Sequence, residues 1–143
     1  MKTIIIYATK SGASKECGEE LAARLPGATI SDARSGMPNL DEYDNIILGT
    51  GVRMGKIYTP MRQFLNKNLE LLCNKNVSIY FCNAYPEAFD KAVAQNLPDQ
   101  LVHSATQIVS LGGKPPFRKA ALAEWLNQSI FDSFVEACKL QKL

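Results

Sequence analysis

"IIIYATKSGASKE", residues 4–16, changes character twice within one short stretch. It opens as a continuous β-branched run, part of "KTIIIYA", of the kind that forms a strand covered on both faces. It then crowds Thr9, Ser11 and Ser14 around Gly12, and from Ser14 onward it turns helical, with Cys17, Leu21, Ala22 and Leu25 recurring at i, i+4, i+5 and i+8. A strand, a small hydroxyl-rich turn and an amphipathic helix make the first unit of an alternating α/β protein.

The alternation continues to the end of the chain. "ATI" (residues 28–30) is a short second strand, and "NIILGTG" (45–51), "VSIYFCNA" (77–84) and "TQIVSLGG" (106–113) repeat the first pattern. Between them, "TPMRQFLNKNLELL" (59–72) predicts a helix with Thr59 as N-cap and Pro60 at its first position. "EAFDKAVAQNL" (87–97) predicts a shorter helix that Pro98 stops or restarts. The segment from about Pro116 to Leu140 predicts a last helix, with Leu122, Trp125, Leu126, Ile130, Phe134 and Ala137 on one stripe and Phe131 and Val135 off it. Right-handed crossovers leave few topologies. The expectation is one doubly wound α/β domain over residues 1–143, with a five-stranded parallel sheet and helices on both faces.

Composition excludes several classes. At 143 residues, 46% hydrophobic and 21% charged, the chain matches an ordinary globular domain. No apolar run approaches the roughly 20 residues of a membrane span, and "TIIIYA" is too short for a secretory signal. A cytoplasmic location is expected. Cys17, Cys73, Cys82 and Cys138 form no C-x-x-C pair, and His103 stands alone, so no metal site is expected. A net charge of +2 does not argue for nucleic acid.

In an open parallel sheet, ligands bind beyond the carboxyl ends of the strands, where strand order reverses. The loops at that edge are "TKSGAS", "TGVRMGKIYTP", "NAYPEA" and "GGKPPFRK". In the first, unpaired amides and the helix dipole favour an anion. Thr9, Ser11 and Ser14 add hydroxyls, Gly12 allows close backbone approach and Lys10 offers a cation. The alternative is that Ser11 or Ser14 only caps the helix. A cap needs one hydroxyl, and three beside a glycine at this edge favour the anion. The spacing is neither G-x-x-x-x-G-K-[ST] nor G-x-G-x-x-G, and the ends of strands one and three lack the carboxylate cluster of a phosphoacceptor domain.

"TKSGAS" resembles the flavodoxin phosphate motif T-x-[ST]-G-x-[TS], which binds the phosphate of FMN without a metal. That resemblance implies a flavodoxin-like three-layer sandwich with strand order 2-1-3-4-5, and FMN as cofactor, with Thr9, Lys10, Ser11, Gly12, Ala13 and Ser14 at the phosphate. It implies that Thr50, Gly51, Val52, Arg53, Met54, Gly55, Asn83, Ala84, Tyr85 and Glu87 flank the ring, with Tyr85 or Tyr58 stacking on it. "YDNIILGTGVRMGKIYTPMRQFL" is also similar to the menaquinone-dependent protoporphyrinogen oxidase family, whose strand-end pattern G-x-x-[IV]-R-x-G falls on Gly49, Val52, Arg53 and Gly55. "LPDQLVHSATQIVSLGGKPPFRK" is similar to that family's fifth strand and the basic loop after it. Those oxidases carry a long segment before the last helix, implicated in the oxidase activity, whereas this chain passes almost directly from Lys119 into helix.

The expected function is therefore electron transfer by bound FMN, to a redox partner protein or a small-molecule acceptor. Protoporphyrinogen or quinone oxidoreduction and a flavin-less binding module are the alternatives. Lys10, Arg53, Lys56, Lys114, Arg118 and Lys119 all fall in the loops at this edge, against Glu87 and Asp90. A cationic rim favours an acidic partner, an anionic substrate or a membrane surface, and raises the flavin potential above that of acidic flavodoxins.

Overall fold

A computed structural model describes residues 2–35, 39–83, 85–114 and 120–140. Five parallel strands run in the order β2-β1-β3-β5-β6, namely β1 (Thr3–Ala8), β2 (Thr29–Asp32), β3 (Asn45–Arg53), β5 (Asn76–Cys82) and β6 (Gln107–Ser110). This is the expected order 2-1-3-4-5. The sixth strand, β4 (Lys56–Ile57), was not anticipated: it folds back antiparallel on the end of β3, pairing Val52 with Ile57 and Arg53 with Lys56. A two-residue strand is too short to leave a periodic signal.

Alternation along the strands divides the core. Ile4, Ile6, Ile46, Leu48, Val77, Ile79 and Phe81 face α2 (Thr59–Cys73), α3 (Phe89–Asn96) and α4 (Asp99–Ser104), where Met61, Phe64, Leu65, Ala92 and Leu101 meet them. Ile5, Ile47, Tyr80 and Cys82 face α1 (Ala13–Arg24), α5 (Leu122–Trp125) and α6 (Gln128–Lys139), through Cys17, Leu21, Trp125, Phe131, Phe134 and Val135. The three interior strands, β1, β3 and β5, are buried along most of their length because both of their faces are covered.

Three local expectations are corrected. Thr59 does not cap α2: it is the first helical residue, Tyr58 holds the cap position, and no side chain closes the end. The 87–97 segment begins as a 3-10 turn, Pro86–Ala88, before α3, while Pro98 restarts the chain as α4, as expected. The last helix is two pieces, because Leu126 and Asn127 are extended and Asn127 Oδ1 accepts the N–H of Ile130 at 3.1 Å to cap α6. The break resets the helical phase, so Phe131 and Val135 are buried beside Phe134 while Ile130 is only half-buried.

The four cysteines are free thiols. Cys17 and Cys82 are buried together, Sγ to Sγ 3.7 Å, and burial pushes the Cys82 thiol well above its ordinary value. Burial likewise raises the Cys138 thiol to about 11.

Candidate functional site

Register gathers three loops. Ala8 pairs with Thr50 and Gly51 with Cys82, so the chain leaves β1, β3 and β5 at neighbouring points on one edge. The hydroxyl-rich loop, the β3–β4 hairpin and the Asn83–Glu87 segment therefore start side by side.

The first loop is organised around Gly12, whose φ of +92° lies in the left-handed region that glycine adopts without strain. Thr9 Oγ1 accepts the Gly12 N–H at 2.8 Å and Ser11 Oγ accepts the Ala13 N–H at 3.4 Å. Both hydroxyls act as acceptors there and keep their own hydrogens to give. Ser14 differs. It is fully buried and its hydroxyl donates to the Ala8 carbonyl, stitching α1 to the end of β1. Its own carbonyl accepts the Tyr80 hydroxyl at 2.8 Å. The amides of Gly12 and Ala13 are thus spent on these two hydroxyls, and the Thr9 and Ser11 hydroxyl hydrogens are the donors the loop keeps at its mouth. Lys10 points elsewhere, its Nζ 5.1 Å from the centroid of the Tyr58 ring.

The second loop is a hairpin with Met54 at φ +54° and Gly55 at φ +77°, both left-handed as a two-residue type I′ turn requires. Glycine suits the second position. Methionine at the first costs roughly 1–2 kcal/mol, and its side chain is 94% exposed. Arg53 and Lys56 beside it are exposed as well. Asn96, at the end of α3, holds the hairpin from the other side: its Oδ1 accepts the Ile57 N–H at 3.2 Å and its Nδ2 donates to the Gly55 carbonyl at 2.8 Å. Sequence reading gave Asn96 no role, because an asparagine at a helix end is common and its partners lie some 40 residues away. Below the turn, the Thr50 hydroxyl donates to the Gly51 carbonyl at 2.9 Å. A Cβ on Gly51 would sit 2.5 Å from the Tyr58 ring, so the glycine makes room for that ring. Tyr58 is 9% exposed, and burial raises its phenol above the ordinary value while the Arg53 charge opposes the shift.

In the third loop, Asn83 is 3% exposed. Its N–H donates to the Gly112 carbonyl and its Oδ1 accepts the Tyr85 N–H, both at 2.9 Å. Its Nδ2 is buried with no hydrogen-bond partner, a donor left for a group at this edge. Tyr85 is 60% exposed, and Glu87 is exposed beside it. Ala84, Arg118 and Lys119 lie outside the described residues. Val52 is half-buried at the end of β3. From the loop after β6, Lys114 reaches back across the edge to the first loop. Its Nζ donates to the Ser11 carbonyl at 3.1 Å and pairs with Glu16 Oε1 at 3.0 Å.

A doubly wound parallel sheet whose first strand feeds a Ser/Thr/Gly loop at the switch-point edge defines an open α/β protein of the doubly wound class. The model of the flavodoxin domain matches residues 4–123. The chain belongs to the flavodoxin-domain family. It is 24% identical over 100 residues to a protoporphyrinogen IX dehydrogenase [quinone] of Escherichia coli K12, a match covering 66% of this chain and 55% of that one. The chain thus spans about half the length of the curated relatives it matches. Among solved structures, a flavoprotein of Lactobacillus acidophilus in complex with FMN superposes with a TM-score of 0.62 at 16% identity, over 76% of this chain and 92% of that one. A short-chain flavodoxin associated with a bacterial microcompartment gives a TM-score of 0.67 at 10% identity, covering 100% and 99%.

Proposed function

We propose that this chain is an FMN-binding electron-transfer protein. The observation that carries the reading is the first loop, where Gly12 in the left-handed region, two hydroxyls with hydrogens to give and the opening amides of α1 converge at the switch-point edge. Thr9, Ser11, Gly12, Ala13 and the amide of Ser14 hold the phosphate. The hairpin from Thr50 to Gly55 and the segment from Asn83 to Glu87 flank the ring, with the orphaned Asn83 Nδ2 as a polar contact and exposed Tyr85 as a stacking surface. Bound flavin supplies one- and two-electron chemistry, while the protein supplies binding, orientation and electrostatics. No side-chain acid, base or nucleophile is required.

The test is direct. The purified protein is expected to be yellow. After stripping, it is expected to bind FMN far more tightly than riboflavin, by about 100-fold or more, as a phosphate held by several charge-assisted hydrogen bonds implies. Equal affinity for the two would remove the phosphate role, and binding of neither would leave a fold used as a binding module.

The likeness to protoporphyrinogen IX dehydrogenase favours a second reading, oxidoreduction with a quinone acceptor. Arg53, exposed on the hairpin, would then meet substrate carboxylates. Flavin reduction by protoporphyrinogen and reoxidation by a quinone, followed in the visible spectrum, separate an oxidoreductase from a carrier that exchanges electrons only with a protein.

A further inference from the structure

Lys114 is not a solvated surface lysine. Its side chain is 20% exposed, and it spans from the loop after β6 to the loop after β1. Its Nζ sits 3.3 Å from where a Cβ on Gly12 would be, at the point that the missing side chain leaves open. Two oxygens hold it there, the Ser11 carbonyl at 3.1 Å and Glu16 Oε1 at 3.0 Å.

Glu16 is placed unusually for a carboxylate. It lies in the first turn of α1, where the helix end favours negative charge. Its second oxygen, Oε2, is buried and has no hydrogen-bond partner. A carboxylate oxygen left dry and unpaired costs free energy, so the lysine pair is the only charge partner that the described residues offer it. The helix opening therefore already holds an anion of the protein's own, matched to an ammonium that comes from a different loop.

We propose that Lys114 is the counter-ion of the FMN phosphate and that Glu16 occupies its place when no flavin is bound. This inference rests on the FMN reading and adds to it a specificity residue and an internal competitor. Phosphate entering the first loop takes the ammonium from Glu16, and the freed carboxylate turns to water from its half-buried position. Lys10, which the sequence offers for this role, is held over the Tyr58 ring instead. Phosphorylated flavin is thereby told from riboflavin by a charge as well as by amides.

Fluorescence titrations of the stripped protein with FMN and with riboflavin, at low and high salt, test this. Lys114→Met is expected to weaken FMN by about 10- to 100-fold, the scale of one lost hydrogen bond to a charged group. Riboflavin affinity is expected to stay within about twofold, which also shows that the variant is folded, and the salt dependence of FMN binding should flatten. Lys114→Arg should recover much of the loss. Glu16→Gln is expected to tighten FMN several-fold and leave riboflavin alone. Unchanged FMN affinity in Lys114→Met, an equal loss for both flavins, or weaker FMN binding in Glu16→Gln would each overturn the proposal. If the wild-type protein binds neither flavin, the FMN reading falls by itself, and inorganic phosphate still decides the role of Lys114. Thermal stabilisation by phosphate that Lys114→Met abolishes supports an anion site at this lysine, and its absence in the wild type overturns it.

Discussion

Glycines at the end of β3 show how single residues shape this site. A Cβ on Gly49 would lie 1.9 Å from the Tyr80 ring, and one on Gly51 would lie 2.5 Å from the Tyr58 ring, so each glycine is the cost of a tyrosine packed flat against the strand. Tyr80 is fully buried, and its hydroxyl reaches across to the Ser14 carbonyl, tying β5 to the helix that follows the first loop. Tyr80→Phe is expected to cost about 1 kcal/mol at neutral pH, the net value of one hydrogen bond. Its pH dependence has a definite sign. Burial raises the Tyr80 phenol well above 10.0, so in alkali the unfolded chain loses this proton before the folded one. The contribution is complete below the unfolded value and is lost progressively as pH rises from there through the folded value. Urea midpoints at pH 8 and near pH 10.5 should therefore fall less steeply in Tyr80→Phe than in the wild type. An unchanged alkaline slope would assign the limb to other groups, Tyr58 foremost.

Elements show where one-dimensional reading succeeds and fails. Strand runs and the α2 stripe were legible because burial on a regular element repeats every two or every 3.6 residues. On α2 the helical spacing puts Met61, Phe64, Leu65, Leu69 and Leu72 on one face, and all are buried except Leu69, which is half-buried. Two of the failures are at element ends. Thr59 carries the residue type of a cap without the geometry, and Asn127 carries the geometry in the middle of what reads as one continuous apolar pattern. The substitutions separate the two. Asn127→Ala should lower stability by about 1 kcal/mol, whereas Thr59→Ala should stay within about 0.5 kcal/mol. Urea unfolding of both variants measures this, and a larger loss at Thr59 would restore the sequence's version of the α2 start. The hairpin after β3 was invisible for a different reason. Its anchor, Asn96, belongs to α3, and only the folded sheet brings the two together.

For the whole molecule, charge at the site edge is the property least predictable from the chain. The sequence places Lys10, Arg53, Lys56, Lys114, Arg118 and Lys119 there against Glu87 and Asp90, Arg118 and Lys119 lying outside the described residues, and the fold adds Glu16, which pairs with Lys114. Lys10 is drawn to Tyr58, which leaves Arg53 and Lys56 on the hairpin as exposed cations among the described residues. We expect these two to favour the reduced, anionic flavin. Arg53→Gln should lower the potential of the flavin by the equivalent of about 1 kcal/mol or less, since an exposed charge acts through water. The difference should shrink in high salt. Reductive titration at two ionic strengths measures both effects. A potential as low as that of acidic flavodoxins, unmoved by Arg53→Gln, would show that the hairpin does not face the ring. The turn around Gly12 was legible from residue types alone, although Thr9, Ser11 and Ser14 each also make a hydrogen bond inside it. The lysine that closes on it was not, because the approach of Lys114 depends on how β6 stands relative to β1 in the sheet, with β3 and β5 between them.

The uneven burial of the thiols gives this chain a ready attachment point for a reporter dye. Cys17 and Cys82 are sealed between helix and sheet, and Cys138 holds little thiolate at neutral pH. Cys73, half-buried as the last residue of α2, remains for conjugation. It precedes the start of β5, at the edge of the sheet opposite the three loops. A fluorophore placed there can follow tumbling and complex formation with a redox partner while leaving the loops themselves untouched, and no engineered cysteine is needed.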